Sequence, residues 1–183
     1  MAAHPKTRHT GFTLVELLVA IGVLGVLMAL AYPSFSETMT RNRLAAQNNE
    51  LMAAMTLART EAIRRNAPVA LCAANAAQSA CQNAWSRDWL VWQDTNRNGA
   101  VNAGEEIIQV GGVTANEQYL ADTATHNVIR FNARGLRELP AATPVVAVVL
   151  EMRPNTCTSG KPWRRRISVL VTGAMNPTTS NCP

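Results

Sequence analysis

Residues 11–32 read Gly11-Phe12-Thr13-Leu14-Val15-Glu16-Leu17-Leu18-Val19-Ala20-Ile21-Gly22-Val23-Leu24-Gly25-Val26-Leu27-Met28-Ala29-Leu30-Ala31-Tyr32, and this stretch decides how the chain is organised. Before the tyrosine, Glu16 is its one ionisable side chain. The run is about as long as the ~20 apolar residues a helix needs to cross a bilayer. Lys6 and Arg8 precede it, together with His4 and His9. A basic flank of this kind orients the N-terminus to the cytoplasm and the bulk of the chain outside.

A secretory signal peptide carries its small-residue cleavage site after the apolar core. Ala29-Leu30-Ala31 fits that form and gives one reading. Gly11 gives the other, because it stands before the core and after a polar leader. The string GFTLVELLVAI, Gly11 to Ile21, resembles the prepilin processing site of type IV pilins and type II secretion pseudopilins. In that family a membrane aspartic peptidase cuts after the glycine and methylates the new first residue. The resemblance implies that Gly11 ends the leader, that Phe12 becomes the methylated N-terminus, and that Glu16 is the glutamate four residues further on. A carboxylate among Leu, Val and Ile costs roughly 2.5–3.5 kcal/mol on insertion scales unless it is paired. The partner this suggests is a free N-terminal amine, its own or that of Phe12 on a neighbouring subunit. Such a pair would neutralise both charges and fix the register between subunits.

Beyond the apolar run, Pro33 predicts a kink near Tyr32–Ser34 and not a stop, because helical composition resumes at once. From Ser36 to Asn66 there is neither Gly nor Pro. Leu44, Leu51, Met55, Ala58 and Ala62 recur at helical spacing and predict a buried face. Arg41, Gln47, Asn48, Glu50 and Arg64 are assigned to the opposite face. Asn66-Ala67-Pro68 ends the helix. Strands are expected at Val69–Ala73, Trp89–Trp92, Glu106–Val110, Val128–Asn132, Val145–Met152 and Arg166–Thr172. Turns are expected at Asn98-Gly99, Gly111-Gly112, Arg134-Gly135 and Thr172-Gly173. The fold class is therefore α+β: one long N-terminal helix, transmembrane in its first half, packed on an antiparallel β-sheet domain. The divisions are a leader at 1–11, a transmembrane and filament-core helix at 12–33, an amphipathic helix at 34–66 and a β-rich domain at 67–183.

The 183 residues carry a formal net charge of +5, of which Lys6 and Arg8 supply two. That balance is ordinary for a soluble surface and weak support for a nucleic-acid partner. Cys72, Cys81, Cys157 and Cys182 lack zinc-ribbon spacing. Outside the cytoplasm disulfides are the default, and 72–81 with 157–182 is the simplest of three connectivities. Four free thiols would need a reducing compartment, which the N-terminus argues against.

The globular part resembles the GspH/FimT family of pilin-like proteins. Leu57-Ala-Arg-Thr-Glu61-Ala-Ile-Arg-Arg-Asn66, followed by Val69-Ala-Leu-Cys72, looks like the family's junction of helix and first strand. Trp89-Leu-Val-Trp92-Gln-Asp94-Thr-Asn96-Arg-Asn98-Gly99 and Ile129-Arg-Phe131-Asn132-Ala-Arg-Gly135 resemble its later strand and hairpin.

Two stretches could carry further chemistry. Asp94, Asn96, Asn98, Gly99 and Glu105 fit the calcium-loop pattern D-x-[DN]-x-[DN]-G-x5-E. The flanks read as strands, only two carboxylates are present, and Arg97 lies between them. The plainer reading is a β-hairpin whose Asn-Gly supplies positive φ, with no metal and no cofactor. Lys161, Trp163, Arg164, Arg165 and Arg166 combine cations with an aromatic ring, a set suited to phosphate contact and base stacking. Some members of the resembled family bind DNA in natural transformation through a Gly-Arg-x-Arg stretch near the C-terminus. The equivalent here is Gly173-Ala174-Met175-Asn176, which lacks both arginines. With Arg165 on the side of Ile167, the basic run reads equally as a solvated edge strand.

No catalytic constellation is present in the sequence. His126 is the one histidine outside the leader, and there is no GxSxG, HExxH or phosphate loop. An enzyme is not expected. The reading is a structural minor pilin or pseudopilin of the inner membrane, single-pass, with its N-terminus cytoplasmic and its domain periplasmic. Its expected partners are a prepilin peptidase and other pilins. The alternatives are a DNA-binding minor pilin and an anchored domain that never assembles.

Overall fold

The computed structural model describes residues 11–113, 116–121, 127–138 and 147–183. The helix α1, Leu14–Arg65, is unbroken through residue 33, so the proline does not stop it. Compactness divides the chain into two units, residues 1–40 and Arg41–Pro183. In the first, the described residues form helix from Leu14 onward, with its large apolar side chains exposed.

In the second unit, residues 41–65 of α1 bury Leu44, Leu51, Ala54, Met55, Ala58 and Ala62. The 3–4-residue spacing expected from the sequence is thus the stripe that meets the core. Gln47 and Asn48 depart from expectation, because both are buried. They stand three and four residues after Leu44, which places them on its side of the helix. The Gln47 carbonyl accepts from the Tyr119 hydroxyl at 3.5 Å, and Asn48 Nδ2 donates to the Met52 sulfur at 3.7 Å. The helix ends at Asn66, which takes φ of 50°. Ala67 N–H then donates to the Ala62 carbonyl and Asn66 N–H to that of Ile63. This is a Schellman closure with asparagine in the left-handed position, and Pro68 follows it.

Among the described residues, nine strands make two antiparallel sheets. The first contains β1 (Val69–Ala74), β2 (Asp88–Gln93), β3 (Ile107–Gly112), β5 (Val128–Phe131) and β6 (Arg137–Glu138), in the order β3-β2-β1-β5-β6. The second contains β4 (Glu117–Ala121), β7 (Val148–Pro154), β8 (Arg164–Val169) and β9 (Met175–Ser180), in the order β4-β7-β8-β9. Alternation sorts β1 and β2 between two cores. Val69, Leu71, Ala73, Trp89 and Val91 join the helix stripe and the inward residues of β5, β7 and β8. Ala70, Cys72, Ala74, Leu90 and Trp92 form a second cluster with Cys81, Val101 and Val128. Both faces of the β1–β2 pair are therefore covered, which is why these strands read as continuous apolar runs.

Three strands escaped the sequence reading. β9 contains Pro177, which argues against a central strand, but β9 lies at a sheet edge where proline is tolerated. β4 and β6 are five and two residues long. Gly111-Gly112 is not a turn, because it lies within β3 opposite Trp89 and Asp88. A Cβ at Gly111 would run into the buried Trp89 ring. The 145–146 end of the expected strand at 145–152 lies outside the described residues.

Both disulfides form, Cys72–Cys81 and Cys157–Cys182, with Cα separations of 5.8 and 5.5 Å. The first closes the segment after β1, and the second ties the chain end to the β7–β8 connection. Arg59 reaches from the helix to the β8–β9 turn, donating to the carbonyls of Gly173 at 3.1 Å and Thr172 at 3.3 Å. Arg65 ties the end of α1 to the first sheet. It meets Glu61 at 2.6 Å, Gln93 Oε1 at 3.0 Å and the Glu106 carboxylate.

Two outcomes follow from these contacts. Gly111→Ala overpacks against Trp89 and should cost about 1–3 kcal/mol in chemical denaturation. The second concerns acid. The hydrogen bonds from Arg64 and then Arg65 hold the Glu61 carboxyl at about 2, and Arg65 holds Glu106 below the usual carboxylate range. A depressed folded-state pKa stabilises above the unfolded value, and that contribution is lost as pH falls toward the folded one. Denaturation midpoints should therefore decline between about pH 4.5 and 2, and Glu61→Gln should flatten the decline. An unchanged acid limb in that variant would refute the assignment.

Candidate functional sites: the helix start, the basic strand and the β2–β3 loop

Gly11 and Phe12 precede α1, and Phe12 is 80% exposed. Thr13 is the N-cap. Its hydroxyl oxygen accepts from Glu16 N–H at 3.2 Å, and its carbonyl accepts from Leu17 N–H at 3.1 Å. Thr13 and Glu16 thus occupy the first and last positions of a capping-box sequence, a pattern the sequence reading passed over. Glu16 sits in the first turn, where the helix dipole favours an anion. From Leu14 to Tyr32 every large apolar side chain is exposed, and the best 18-residue window has mean hydropathy 2.6 with none of it buried. Leu27, Met28, Ala31, Tyr32 and Phe35 line a shallow apolar depression in this segment.

The basic run lies on β8. That strand is interior, paired to β7 and β9, so the edge-strand expectation is corrected. The edges of that sheet are β4 and β9, both of which the sequence reading missed. Alternation puts Arg165 on the side of Ile167 and Val169, as expected, and Arg164 and Arg166 on the other. Arg164 forms a two-pronged pair with Glu151 of β7, Nε to Oε1 at 2.9 Å, and that contact pushes its pKa up. Arg166 Nε stands 3.8 Å from the same carboxylate. Arg165 donates to the Thr179 hydroxyl at 2.5 Å. Trp163 packs against the main core. Lys161 accepts at its carbonyl from Trp163 and Cys182 N–H. The structure therefore gathers the three arginines, but not Lys161, on one strand and turns Arg164 and Arg165 toward internal partners. Glu151, a neighbour across the sheet, could be found from sequence only through the strand register.

The β2–β3 connection begins at Asp94, which is fully buried. One carboxylate oxygen, Oδ2, accepts from Gly99 N–H at 3.1 Å and from Arg130 Nε at 2.7 Å. Arg130 comes from β5 and also lies 3.6 Å from Glu138. Glu105 reaches back across the loop. Its Oε1 accepts from Thr95 N–H at 2.9 Å, and its Oε2 from Asn102 N–H at 3.0 Å. The flanks are strands, as expected.

A long helix entered through a methylation-type leader sequence and covered in its second half by antiparallel sheets defines a pilin-like protein. Residues 6–32 match the prokaryotic N-terminal methylation motif. Residues 47–173 match the family described as Type II transport protein GspH, and the chain belongs to that family. It is 42% identical over 99 residues to the pilin-like protein PilA1 of Thermus thermophilus. That match covers 53% of the chain and 56% of the relative, so the chain spans about half the length of the curated relative it matches. Among solved structures it resembles the type IV minor pilin FimU of Pseudomonas aeruginosa PAO1, with TM-score 0.53 and 17% identity over 75% of this chain and 90% of that one. The minor pseudopilin EpsH of the Vibrio cholerae type 2 secretion system gives TM-score 0.50 and 11% identity, over 75% of this chain and 97% of that one. The α+β pilin-like fold expected from the sequence is the fold observed.

The Asp94–Arg130 pair makes a direct test of this region. Arg130→Met strands a buried carboxylate and should cost about 3–5 kcal/mol. Adding Asp94→Asn should recover part of that loss in a double-mutant cycle. Additive losses would mean that the two side chains do not interact.

Proposed function

We propose that this chain is a minor pilin or pseudopilin that assembles with other pilins into a type IV pilus or type II secretion pseudopilus. One observation carries the reading. Apart from Glu16, the helix from Leu14 to Tyr32 is apolar on every side and exposed on every side. Burying each such Leu, Val or Ile is worth about 1.5–3 kcal/mol. Water is therefore the wrong environment for this segment, and two apolar environments suit it: a bilayer before assembly and the helices of neighbouring subunits after. A span of this length following Lys6 and Arg8 favours an inner-membrane anchor with the N-terminus in the cytoplasm. The two disulfides agree with a domain outside it.

In this reading a prepilin peptidase cuts between Gly11 and Phe12 and methylates Phe12. Glu16 then pairs with the new amine of a neighbour. Both charges enter an apolar bundle together, so a subunit out of register would leave one of them unpaired. DNA contact at β8 is not part of this reading, because Arg164 and Arg165 already have partners in the fold.

Co-expression with a prepilin peptidase should yield, by intact-mass and N-terminal analysis, a chain beginning at N-methylated Phe12. Glu16→Ala should still be cut, yet its amount in the sheared filament fraction should fall about tenfold or more. Wild-type recovery of that variant with other pilins would overturn the assembly reading. Deleting the gene and scoring twitching and secretion together separates the two machines.

A further inference from the structure

We infer that the β2–β3 loop, Asp94 to Glu105, binds a calcium ion. Ca²⁺ takes six to eight oxygens, and its twelve-residue loops supply them from positions 1, 3, 5, 7, 9 and 12, with glycine at 6 for the bend. Asp94, Asn96, Asn98, the Ala100 carbonyl, Asn102 and Glu105 occupy those positions, and Gly99 falls at the sixth with φ of 77°.

The pattern alone would describe a well-bonded hairpin loop equally well. The Asp94 carboxylate separates the two descriptions. Its Oδ2 accepts from Gly99 N–H and Arg130, while its Oδ1 is fully buried with no hydrogen-bond partner among the described residues. The contact with Gly99 fixes the carboxylate against the loop. The second oxygen is thus held at the same place, stripped of water and unsatisfied. A buried anionic oxygen in that state points to a missing ion or water. A carboxylate can give one oxygen to a metal and the other to N–H donors, so Arg130 does not occupy the ligand position. It lowers the local negative charge instead.

Asn102 Nδ2 donates to Asn98 Oδ1 at 3.1 Å, to the Ala100 carbonyl at 2.8 Å and to Glu105 Oε2 at 3.4 Å, so three of the remaining oxygens gather around one point. Asn96 Oδ1 accepts from Asn98 N–H at 3.0 Å, and Asn98 Oδ1 from Ala100 N–H at 2.9 Å. Glu105 bonds amides on both sides of the loop. Its two oxygens are placed to exchange those amides for a bidentate grip. Only two of the donors are carboxylates, and one is shared with Arg130. Affinity in calcium loops follows ligand charge, so the site belongs to the weak class, with Kd on the order of 10⁻⁴–10⁻³ M. Mg²⁺ demands tighter octahedral geometry and gives up its waters reluctantly, so the loop should prefer calcium.

The test uses the full chain in detergent, freed of metal with chelator. Thermal unfolding is followed in 10 mM CaCl₂, in MgCl₂ of equal ionic strength, and in NaCl. Calcium should raise Tm by about 3–6 °C over both other salts. Asn96→Ala and Glu105→Gln should each remove that rise. A terbium titration of the wild type, excited through tryptophan, reads the site without any variant. Trp92 shares a cluster with Val101 of the loop, so emission should grow with terbium and fall again with millimolar calcium. The same Tm in all three salts, a calcium rise that survives both substitutions, or terbium emission that calcium does not displace would each overturn the inference.

Discussion

Everything in the globular unit depends on one stripe of the helix. Leu44, Leu51, Met55, Ala58 and Ala62 are the surface on which both sheets close. A two-residue β6 and a five-residue β4 have little stability of their own. They hold their places because the strands beside them bury Phe131, Leu150 and Met152 against that stripe. The small residues Ala54, Ala58 and Ala62 let the helix backbone come close to the sheets. The larger Trp89 then needs room elsewhere, and Gly111 on the neighbouring strand provides it.

The same helix explains what was legible in the sequence. Its stripe and its Asn66-Ala67-Pro68 ending follow from period and capping, which are local properties. β1 and β2 were legible as apolar runs because both their faces are covered. Gln47 and Asn48 were misplaced because residue type was weighed above position. β9 was hidden by Pro177, which only knowledge of sheet order could excuse. Sheet order is non-local, and so is the fact that the basic β8 is interior.

The sites divide along the same line. Gly11, Phe12 and Glu16 lie within six consecutive residues, so their reading needed no fold. The capping role of Thr13 was equally local and was overlooked beside the more conspicuous Glu16. By contrast, the partners of the charged residues come from distant parts of the chain. Glu151 meets Arg164 across a strand pair, and Arg130 meets Asp94 across 36 positions. A count of arginines on β8 suggested a phosphate surface. The side-chain contacts show instead that its first arginine is paired with a carboxylate on the neighbouring strand, diagonal to a register that sets Glu151 opposite Arg166.

The two groups of polar residues also differ in what satisfies them. Around Arg65 each buried or half-buried charge meets its opposite within the unit, and the ring of contacts is closed. At Asp94 one oxygen is closed and the other is open. At the helix start, Thr13 satisfies the Glu16 amide but leaves an anion at the head of an apolar segment. The helix dipole favours that charge but does not neutralise it. Among the described residues two anions stand apart from such closed contacts, Glu16 at the helix start and Asp94 at the start of the β2–β3 loop. Each lacks a full complement of donors, and the partner proposed for each is a cation: an amine for Glu16 and calcium for Asp94.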